Sequence, residues 1–366
     1  MASIPLNDLS RMSSSETAAL VAIFQQVVES GHFMMGPHTR NLEATLGELV
    51  TQPHVACVAN GTDALTLALQ ALGVSRDEKV ITVANAGGYT TTATLRLGAQ
   101  PLLADIDPAN GQISPSSLET VLRAHPNTKV VVVTHLYGLM APVKEIAHIC
   151  DSYGVKLVED CAQSIGASRD DRMAGSWGNA ATFSFYPTKN LACLGDGGAV
   201  ALRDAADADY LRKLAQYGWN GRYFVEESGG FNSRIDEIQA AILVHRMKNL
   251  GQENERRREI VGRYATALSS QRRMLWNDDS SFVGHLAIMV SATCNDDKKA
   301  LEDAGVGTGV HYPITDHQQI AWKNVFAGQT SPNADLLTSQ ILTLPCFPKM
   351  TDDEVDAVCD ALSQLQ

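Results

Sequence analysis

The chain has 366 residues, of which 45% are hydrophobic and 19% charged, a composition that is ordinary for a globular protein. This length exceeds what one ordinary hydrophobic core supports, so it predicts two domains, or one large domain with a smaller satellite. The net charge of -12 argues against nucleic acid as the main ligand, because neutralising its phosphates requires a basic surface. A local basic pocket for a single phosphate or nucleotide remains compatible with this charge.

Neither the first residues nor the hydropathy pattern predicts secretion or a membrane span. Residues 1–6 lack the charged start and apolar centre of a signal peptide, and no apolar run reaches the roughly 18 residues that cross a bilayer. The seven cysteines are scattered, without a Cys-x-x-Cys pair or a Cys/His cluster at zinc spacing. We therefore expect a cytoplasmic protein with reduced thiols, no metal site and no membrane partner.

The first half of the chain alternates between helical and strand-like patterns. Helical periodicity runs from Ser14 to about Leu49 with a break at residues 30–32, and Asn60-Gly-Thr-Asp63 predicts the start of another helix, which Gly73 ends. The continuous apolar runs that follow are typical of strands buried on both faces of a mainly parallel sheet. The predicted strands are 79–83, 101–104, 129–133, 155–158 and 180–184, with helices at 117–123 and 143–153 between them.

A charged run at residues 252–259 interrupts this alternation. One interpretation is a single long helix, Asp236 to about Leu268, that bridges two domains; the other is a solvated helix face, and both remain open. The elements beyond it predict a small α+β domain, with a strand at 285–290 and helices at 298–304 and 351–365. We therefore expect a large domain over residues 1–248 and a small C-terminal domain over 249–366.

The chemically most informative pattern is Ser184-Phe-Tyr-Pro-Thr-Lys189, which the glycine-rich stretch 195–198 follows. A lysine in an enclosed site can have a lowered pKa and form a Schiff base with an aldehyde, although a solvated surface lysine is the alternative when Lys189 is considered alone. Asp160 ends an apolar strand, at the edge where α/β proteins bind ligands; a helix cap or a salt-bridged acid is the alternative. Glu159 should point the opposite way if the strand continues that far.

Three further positions could complete a site around this lysine. Gly61 and Thr62 begin a helix, whose free N–H groups and dipole favour a phosphate. Ser184 could add a hydroxyl, and Tyr89 could stack on a pyridine ring. Ordinary capping, a strand hydroxyl and core packing are the respective alternatives. A lysine, a strand-end acid and a phosphate cradle are what pyridoxal 5'-phosphate (PLP) requires, so the combination predicts a PLP enzyme.

Six motifs, in order along the chain, resemble the DegT/DnrJ/EryC1/StrS family of PLP-dependent sugar aminotransferases. They are Asn60-Gly-Thr-Asp-Ala-Leu65, Glu159-Asp-Cys-Ala-Gln163, Ser184-Phe-Tyr-Pro-Thr-Lys-Asn190, Gly195-Asp-Gly-Gly198, the stretch 230–241 and His311-Tyr-Pro313. The resemblance covers nearly the whole chain. It implies fold type I, an α/β fold: a large domain with a mostly parallel seven-stranded sheet, a small α+β C-terminal domain, and a homodimer whose active sites lie between subunits.

The resemblance also implies roles for particular residues. Lys189 is the implied catalytic residue and forms the Schiff base with PLP. Besides Lys189, the implied cofactor-binding residues are Gly61, Thr62, Tyr89, Asp160, Gln163, Ser184 and Asn232. Among these, Asp160 would face the pyridine nitrogen, and Asn232 would reach the cofactor phosphate of the neighbouring subunit. Tyr312 and His317 resemble substrate-pocket positions.

The implied reaction moves an amino group from glutamate or glutamine to carbon 3 or 4 of a nucleotide-linked keto-deoxysugar. Some relatives have histidine in place of this lysine and are sugar dehydratases, so Lys189 favours transamination. The segment Asn85–Thr92 departs from the usual loop of the family, so a keto-cyclitol or a free keto sugar remains an alternative acceptor. A non-catalytic regulatory or scaffolding protein is the other alternative, against which the intact lysine, acid and phosphate positions argue.

Overall fold

The computed structural model describes residues 3–365, so residues 1, 2 and 366, at the predicted domain ends, lie outside the described range. Within residues 3–365 the strands are β1 (His54–Val58), β2 (Lys79–Thr82), β3 (Gln100–Leu103), β4 (Thr128–Thr134), β5 (Lys156–Asp160), β6 (Ser168–Arg169), β7 (Arg172–Met173), β8 (Ala180–Ser184), β9 (Gly198–Leu202), β10 (Arg272–Met274), β11 (Ala287–Ser291) and β12 (Ile341–Leu344).

The helices surround these strands. They are α1 (Ser14–Ser30), α2 (Pro37–Val50), α3 (Gly61–Ala71), α4 (Tyr89–Arg96), α5 (Pro115–Ala124), α6 (Val143–Tyr153), α7 (Ala205–Leu214), α8 (Glu237–Met247), α9 (Leu250–Ala267), α10 (Cys294–Asp303), α11 (Pro332–Thr338) and α12 (Asp352–Ser363), with short 3₁₀ helices at Leu136–Gly138, Asp316–Gln318 and Ile320–Trp322. Among the described helices, none combines the length and the apolar composition that crossing a membrane requires.

Seven strands form the large sheet in the order β1-β9-β8-β5-β4-β2-β3. Neighbours from β8 to β3 pair in parallel, and β9 runs antiparallel to both β8 and β1. Side chains of β4 alternate between two hydrophobic clusters, Val131 and Val133 in one, Val130 and Val132 in the other, and all four are fully buried. Helices therefore cover both faces, and the predicted mostly parallel seven-stranded sheet is confirmed.

A second, antiparallel sheet of β10, β11 and β12 lies in the C-terminal part of the chain. Together with α9 and α12 it encloses a third hydrophobic cluster, to which Tyr264 and Val358 belong. Ile4 also packs in this cluster, and its backbone N–H donates to Gly305 O (2.8 Å). A small α+β unit is therefore present, although the boundary at residue 248 stays a prediction, since the start of the chain packs with this smaller core.

The single long helix predicted for residues 236–268 is wrong, because α8 and α9 are separate helices. At the junction, the N–H of Lys248 donates to His245 O (3.4 Å) and that of Asn249 donates to Arg246 O (3.0 Å). These bonds span three residues instead of four, which tightens the last turn of α8 and ends it. Asn249 precedes Leu250, the first residue of α9.

Helix α9 nevertheless connects the two sheets, as the bridging interpretation predicts. Asn254 and Arg257, which both lie in its charged run, are buried. Asn254 Nδ2 donates to Ile165 O (3.0 Å) in the core of the large sheet, whereas Arg257 Nη1 donates to Cys346 O (2.9 Å) in the smaller core. The charged run is therefore more than a solvated helix face, since it fixes α9 to both cores.

Candidate active site

A cavity of about 540 Å³ lies at the carboxyl ends of β5 and β8, whose last residues, Asp160 and Ser184, line it. The amino-terminal ends of α3 and α4 border the same cavity. Of the ten predicted site residues, seven line it: Gly61, Thr62, Tyr89, Asp160, Ser184, Lys189 and Tyr312. The sequence motifs that contain these residues are thus brought together at one edge of the large sheet.

Lys189 lies in a tight turn that follows β8. Its backbone N–H donates to Tyr186 O (2.8 Å), and the N–H of Cys193 donates to Phe185 O (2.7 Å), so the turn is held at both ends. Burial lowers the pKa of Lys189 to about 8, and the negative charge of Asp160 opposes this change. More of the amine is therefore unprotonated near neutral pH than in an ordinary lysine, and the unprotonated amine is the nucleophilic form.

Asp160 is only 5% exposed, and its Oδ1 accepts a hydrogen bond from the N–H of Ala162 (3.1 Å). Burial raises the pKa of this carboxyl, while the Ala162 bond and the positive charge of Lys189 oppose the rise. A cationic N–H placed next to Asp160 would favour its ionised form. The carboxyl therefore fits the protonated nitrogen of a pyridine ring.

Glu159, the neighbour of Asp160 on β5, points away from the cavity, as strand alternation predicts. It is fully buried, and its two oxygens accept hydrogen bonds from four groups. These are the backbone N–H groups of Gly175 (2.9 Å), Trp177 (2.6 Å) and Gly178 (2.8 Å), and Nε2 of His135 (3.0 Å). Glu159 thus holds the loop that leads into β8.

The ligand atoms of His135, Glu159 and Cys161 lie within 4.8 Å of one another, a spacing that could hold a metal ion. However, the N–H of Ala141 donates to Nδ1 of His135 (3.1 Å), so this nitrogen is an acceptor and Nε2 carries the proton that Glu159 accepts. Burial raises the pKa of Cys161 well above its usual value. His135 and Glu159 are therefore joined by a hydrogen bond in the core, and Cys161 is a buried thiol beside them.

The start of α3 forms a cradle next to Ser184. The side chain of Asn60 caps this helix by accepting from the N–H of Asp63 (2.8 Å). A Cβ atom on Gly61 would lie 2.7 Å from Cβ of Ser184, so only glycine permits this approach. Because the first N–H groups of a helix have no partner within it, Gly61 and Thr62 offer donors to an anion at this point.

Thr182 supports the assignment of an anion-binding cradle next to Ser184. No sequence motif predicts that Thr182 lines the cavity. It lines the cavity, it is 1% exposed, and its hydroxyl has no hydrogen-bond partner among residues 3–365. A buried polar atom without a partner is costly, so an oxygen or nitrogen of a bound molecule would compensate it. The alternation of β8, which places Thr182 on the same face as Ser184, is the signal that could have found it.

Two tyrosines form one wall of the cavity. The rings of Tyr89 and Tyr312 meet edge to face, with centroids 6.0 Å apart and planes at 77°. Gln163 lies behind this wall: its Nε2 donates to Tyr312 OH (3.2 Å), and its Oε1 accepts from the N–H of Tyr137 (2.6 Å). Gln163 thus contacts the cavity through Tyr312 and does not line it itself.

Two predicted site residues lie elsewhere in the chain. Asn232 is exposed, and its Oδ1 accepts from Nε of Arg234 (2.8 Å). Nε2 of His317 lies 3.1 Å from Oδ2 of Asp335, and His317 is absent from the lining of the cavity. The role of Asn232 requires a second subunit, and the roles of both residues stay predictions.

Two histidines, His285 and His311, line the cavity although neither is among the site residues predicted from the sequence. Nδ1 of His285 lies 2.9 Å from Oδ1 of Asn190, the residue after Lys189. The Asn190 amide nitrogen donates to Val283 O (3.0 Å), and since a backbone carbonyl can only accept, this fixes the orientation of the amide. Nδ1 of His285 must therefore carry the proton, which leaves Nε2 as an acceptor.

The surroundings of His285 keep it neutral. Burial holds its pKa well below the usual range, and the positive charges of Lys189 and Arg257 lower it further. His285 is separated from Asn190 by 95 residues. No local sequence pattern connects such distant positions, which explains why the sequence predicts only a strand at His285.

The sequence is similar to known proteins over nearly its full length. The model of the "DegT/DnrJ/EryC1/StrS aminotransferase family" matches residues 14–363. A dTDP-3-amino-3,4,6-trideoxy-alpha-D-glucose transaminase of Micromonospora megalomicea subsp. nigra is 33% identical, with 96% of this chain and 95% of that protein covered. A UDP-2-acetamido-2-deoxy-3-oxo-D-glucuronate aminotransferase of Pseudomonas aeruginosa is 32% identical, with 97% of this chain and 98% of that protein covered.

The fold is also similar to a solved structure, DesV of S. venezuelae in complex with a ketimine intermediate. The TM-score is 0.94 at 31% sequence identity, and the alignment covers 100% of this chain and 98% of the other. A ketimine is the imine that a ketone forms with an amine.

Proposed function

The chain belongs to the DegT/DnrJ/EryC1/StrS aminotransferase family, and we propose that it transfers an amino group from glutamate to carbon 3 of a nucleotide-linked keto-deoxysugar. It is a PLP-dependent sugar aminotransferase. The observation that supports the specific proposal is the cavity that Lys189 and Asp160 share, in a chain with two relatives named for an amino or oxo group at carbon 3. Glutamate as the amino donor and the nucleotide-linked keto-deoxysugar as the acceptor are what we propose.

The residues of the cavity fit PLP. Gly61, Thr62 and Ser184 would hold its phosphate, Asp160 would face its ring nitrogen, and Tyr89 would stack on its ring. Two structural features support this fit. The hydroxyl of Thr182 has no hydrogen-bond partner in the described part of the chain, and position 61 has room only for glycine. When bound, PLP carries the amino group between donor and acceptor and withdraws electrons from the reacting carbon.

Lys189 would anchor the cofactor and move protons at Nζ. With a pKa of about 8, the amine can accept a proton from a carbon acid and return it near neutral pH, which a lysine of ordinary pKa does inefficiently. The charge of Asp160 keeps the pKa of Lys189 from falling further. The two residues therefore act on each other as well as on the cofactor.

We propose that the acceptor binds in the cavity next to Tyr89 and Tyr312. A nucleotide attached to the sugar would supply binding energy remote from the reacting carbon, which can be used to orient that carbon. The preference for carbon 3 is based on two relatives, whose names place the amino or oxo group at that carbon. A keto-cyclitol or a free keto sugar is the alternative outcome of the substrate test.

We further propose a homodimer with active sites shared between subunits. Val21, Phe24 and Val28 expose an apolar stripe on one face of α1, between 49% and 63% exposed. A second exposed apolar group, Tyr223, Phe224 and Val225, lies in the loop before Asn232. Such surfaces are rare on monomers, and they support a subunit contact that brings Asn232 to the partner's cavity.

The substrate test uses purified enzyme, PLP and glutamate with a panel of dTDP- and UDP-linked 3-keto and 4-keto sugars and an inosose. We expect a mass change from ketone to amine for a nucleotide-linked 3-keto sugar, and no product from Lys189→Ala. Amination of only a 4-keto sugar, of only the inosose, or of none of the nucleotide-linked sugars would contradict the proposed acceptor.

The shared site has a separate test. We expect a single dimer mass in solution, low activity for both Lys189→Ala and Asn232→Ala, and partial activity when the two variants are mixed and exchanged. The mixed dimer regains one site that contains both native residues. Absence of any regained activity after verified subunit exchange would contradict the sharing of sites.

A further inference from the structure

A buried carboxyl, Asp316, contacts the first turn of α4 from a distant part of the chain. Its Oδ2 accepts a hydrogen bond from Oγ1 of Thr91 (2.5 Å), 225 residues away in sequence. Its backbone N–H donates to Ala84 O (2.8 Å), in the segment that leads to α4. Asp316 is 2% exposed and Thr91 is fully buried, so the contact lies inside the protein.

Asp316 lies at the start of α4, a helix without a side-chain cap. The residue that precedes this helix, Gly88, has no side chain to accept from the first N–H groups. Burial raises the pKa of Asp316 to about 7, and hydrogen bonds from the Thr91 hydroxyl and the Gly88 backbone oppose the rise. The carboxyl therefore accepts hydrogen bonds from both sides of Tyr89, from the backbone of the residue before it and from the Thr91 side chain in the first turn of α4.

The stretch 312–322 leaves no space for a side chain at the two glycines before Tyr89. A Cβ atom on Gly87 would lie 2.8 Å from the ring of Tyr312, and one on Gly88 would lie 2.6 Å from the ring of Trp322. Both glycines have φ of +77°, a conformation that side chains disfavour. The stretch 312–322 thus lies directly against the backbone that positions Tyr89.

Tyr89 depends on this backbone for its orientation. It is the first residue of α4, it is 46% exposed, and its ring meets that of Tyr312 only edge to face. We propose that Asp316 is a positioning residue, which fixes the start of α4 through Thr91 and thereby the tyrosine wall of the PLP cavity. The proposal rests on the proposed stacking of Tyr89, and it is independent of which sugar is the acceptor.

The test compares two adjacent buried threonines. Thr91→Val removes the hydroxyl that Asp316 accepts and keeps the shape of the side chain. Thr90→Val is the matched control, because the Thr90 hydroxyl has no hydrogen-bond partner in the described part of the chain. Thr91→Ser restores the hydroxyl. The two measurements are the Kd of cofactor-free protein for PLP and the visible circular dichroism of bound PLP, which reports the order of its surroundings.

For Thr91→Val we expect a rise in Kd of about fivefold, in the range for the loss of one hydrogen bond, with a weaker dichroic band. Thr91→Ser should restore both values, and Thr90→Val should match the wild type. Wild-type values for Thr91→Val, equal loss in Thr90→Val, or no recovery in Thr91→Ser would each overturn the proposal.

A second variant covers the case in which Thr91→Val does not fold. Asp316→Asn turns one of the two acceptor oxygens into an NH₂ group, so either Thr91 or the Gly88 N–H loses its acceptor. We expect a rise in Kd of about threefold. Wild-type Kd and dichroism in Asp316→Asn would overturn the proposal. All these measurements use PLP alone, so an incorrect sugar assignment would leave them unchanged.

Discussion

Glu159 and Asp160 are adjacent carboxylates at the end of β5 whose side chains point in opposite directions. Asp160 lines the cavity, whereas Glu159 is directed into the core, where three backbone N–H groups and His135 donate to it. Strand geometry alone separates them, because successive side chains point to opposite faces. Replacement of each carboxylate by its amide should therefore affect different properties.

We expect Glu159→Gln to lower the thermal midpoint, because an NH₂ group would then face backbone N–H donors, at a cost of about 1–3 kcal/mol. Asp160→Asn should keep the midpoint and reduce turnover on the order of 100-fold, since it removes the charge that we propose faces the ring nitrogen of PLP. Scanning calorimetry and steady-state kinetics measure the two effects. Equal loss of stability in both variants would contradict the assignment.

Lys189 should react with amine reagents at a lower pH than other lysines. Its pKa of about 8 places the change to the nucleophilic form near this pH, compared with about 10.4 for an ordinary lysine. The measurement is the rate of labelling of cofactor-free protein from pH 6 to 11, read by peptide mass, with Lys189→Ala as the control. In Asp160→Asn the midpoint should fall, because the negative charge that raises the pKa of Lys189 is gone. A midpoint near that of surface lysines would contradict this.

Gly61 should tolerate no side chain if the start of α3 holds a phosphate. In Gly61→Ala the new Cβ would lie 2.7 Å from Cβ of Ser184, and overpacking of this kind costs about 1–3 kcal/mol. If the start of α3 moves away from Ser184 to relieve this clash and PLP binding has to reverse the movement, the Kd for PLP rises by about 5- to 150-fold, the same free energy expressed as affinity. Gly251→Ala is the matched control, since nothing lies within 4 Å of its Cβ position in α9. Unchanged affinity in Gly61→Ala would contradict the phosphate cradle.

The parts of the fold and site that the sequence predicts are those that local patterns determine. The helix start at Asn60, the strand that ends at Asp160 and the turn to Lys189 each lie in one short motif, and all three border the cavity. Continuous apolar runs predict the parallel sheet for the same reason, because burial on both faces leaves a local signature. The junction of α8 and α9 leaves no such signature, since the helical pattern continues across it.

The features that the sequence does not predict depend on contacts between distant positions. His285 is hydrogen-bonded to Asn190, 95 residues away in the sequence, and Asp316 is hydrogen-bonded to Thr91, 225 residues away. Neither pair has a spacing that local geometry would reveal. Asn232 is a different case, because its predicted role requires a second subunit. Periodicity and motifs therefore locate the cofactor pocket, whereas the residues that support it become visible only in three dimensions.

His285 should make the stability of the protein depend on pH in the acidic range. Its folded pKa lies well below the usual value, whereas in the unfolded chain it is about 6.5. Below that pH the unfolded state binds the additional proton, so stability is full above about 6.5 and falls as the pH decreases, by up to about 1.4 kcal/mol per pH unit from this residue. His285→Gln keeps an N–H donor for Asn190 but does not titrate. We expect the thermal midpoint of the wild type to fall more than that of His285→Gln between pH 7.5 and 5.5. Parallel pH profiles for the two proteins would show that His285 is not held neutral in the folded state.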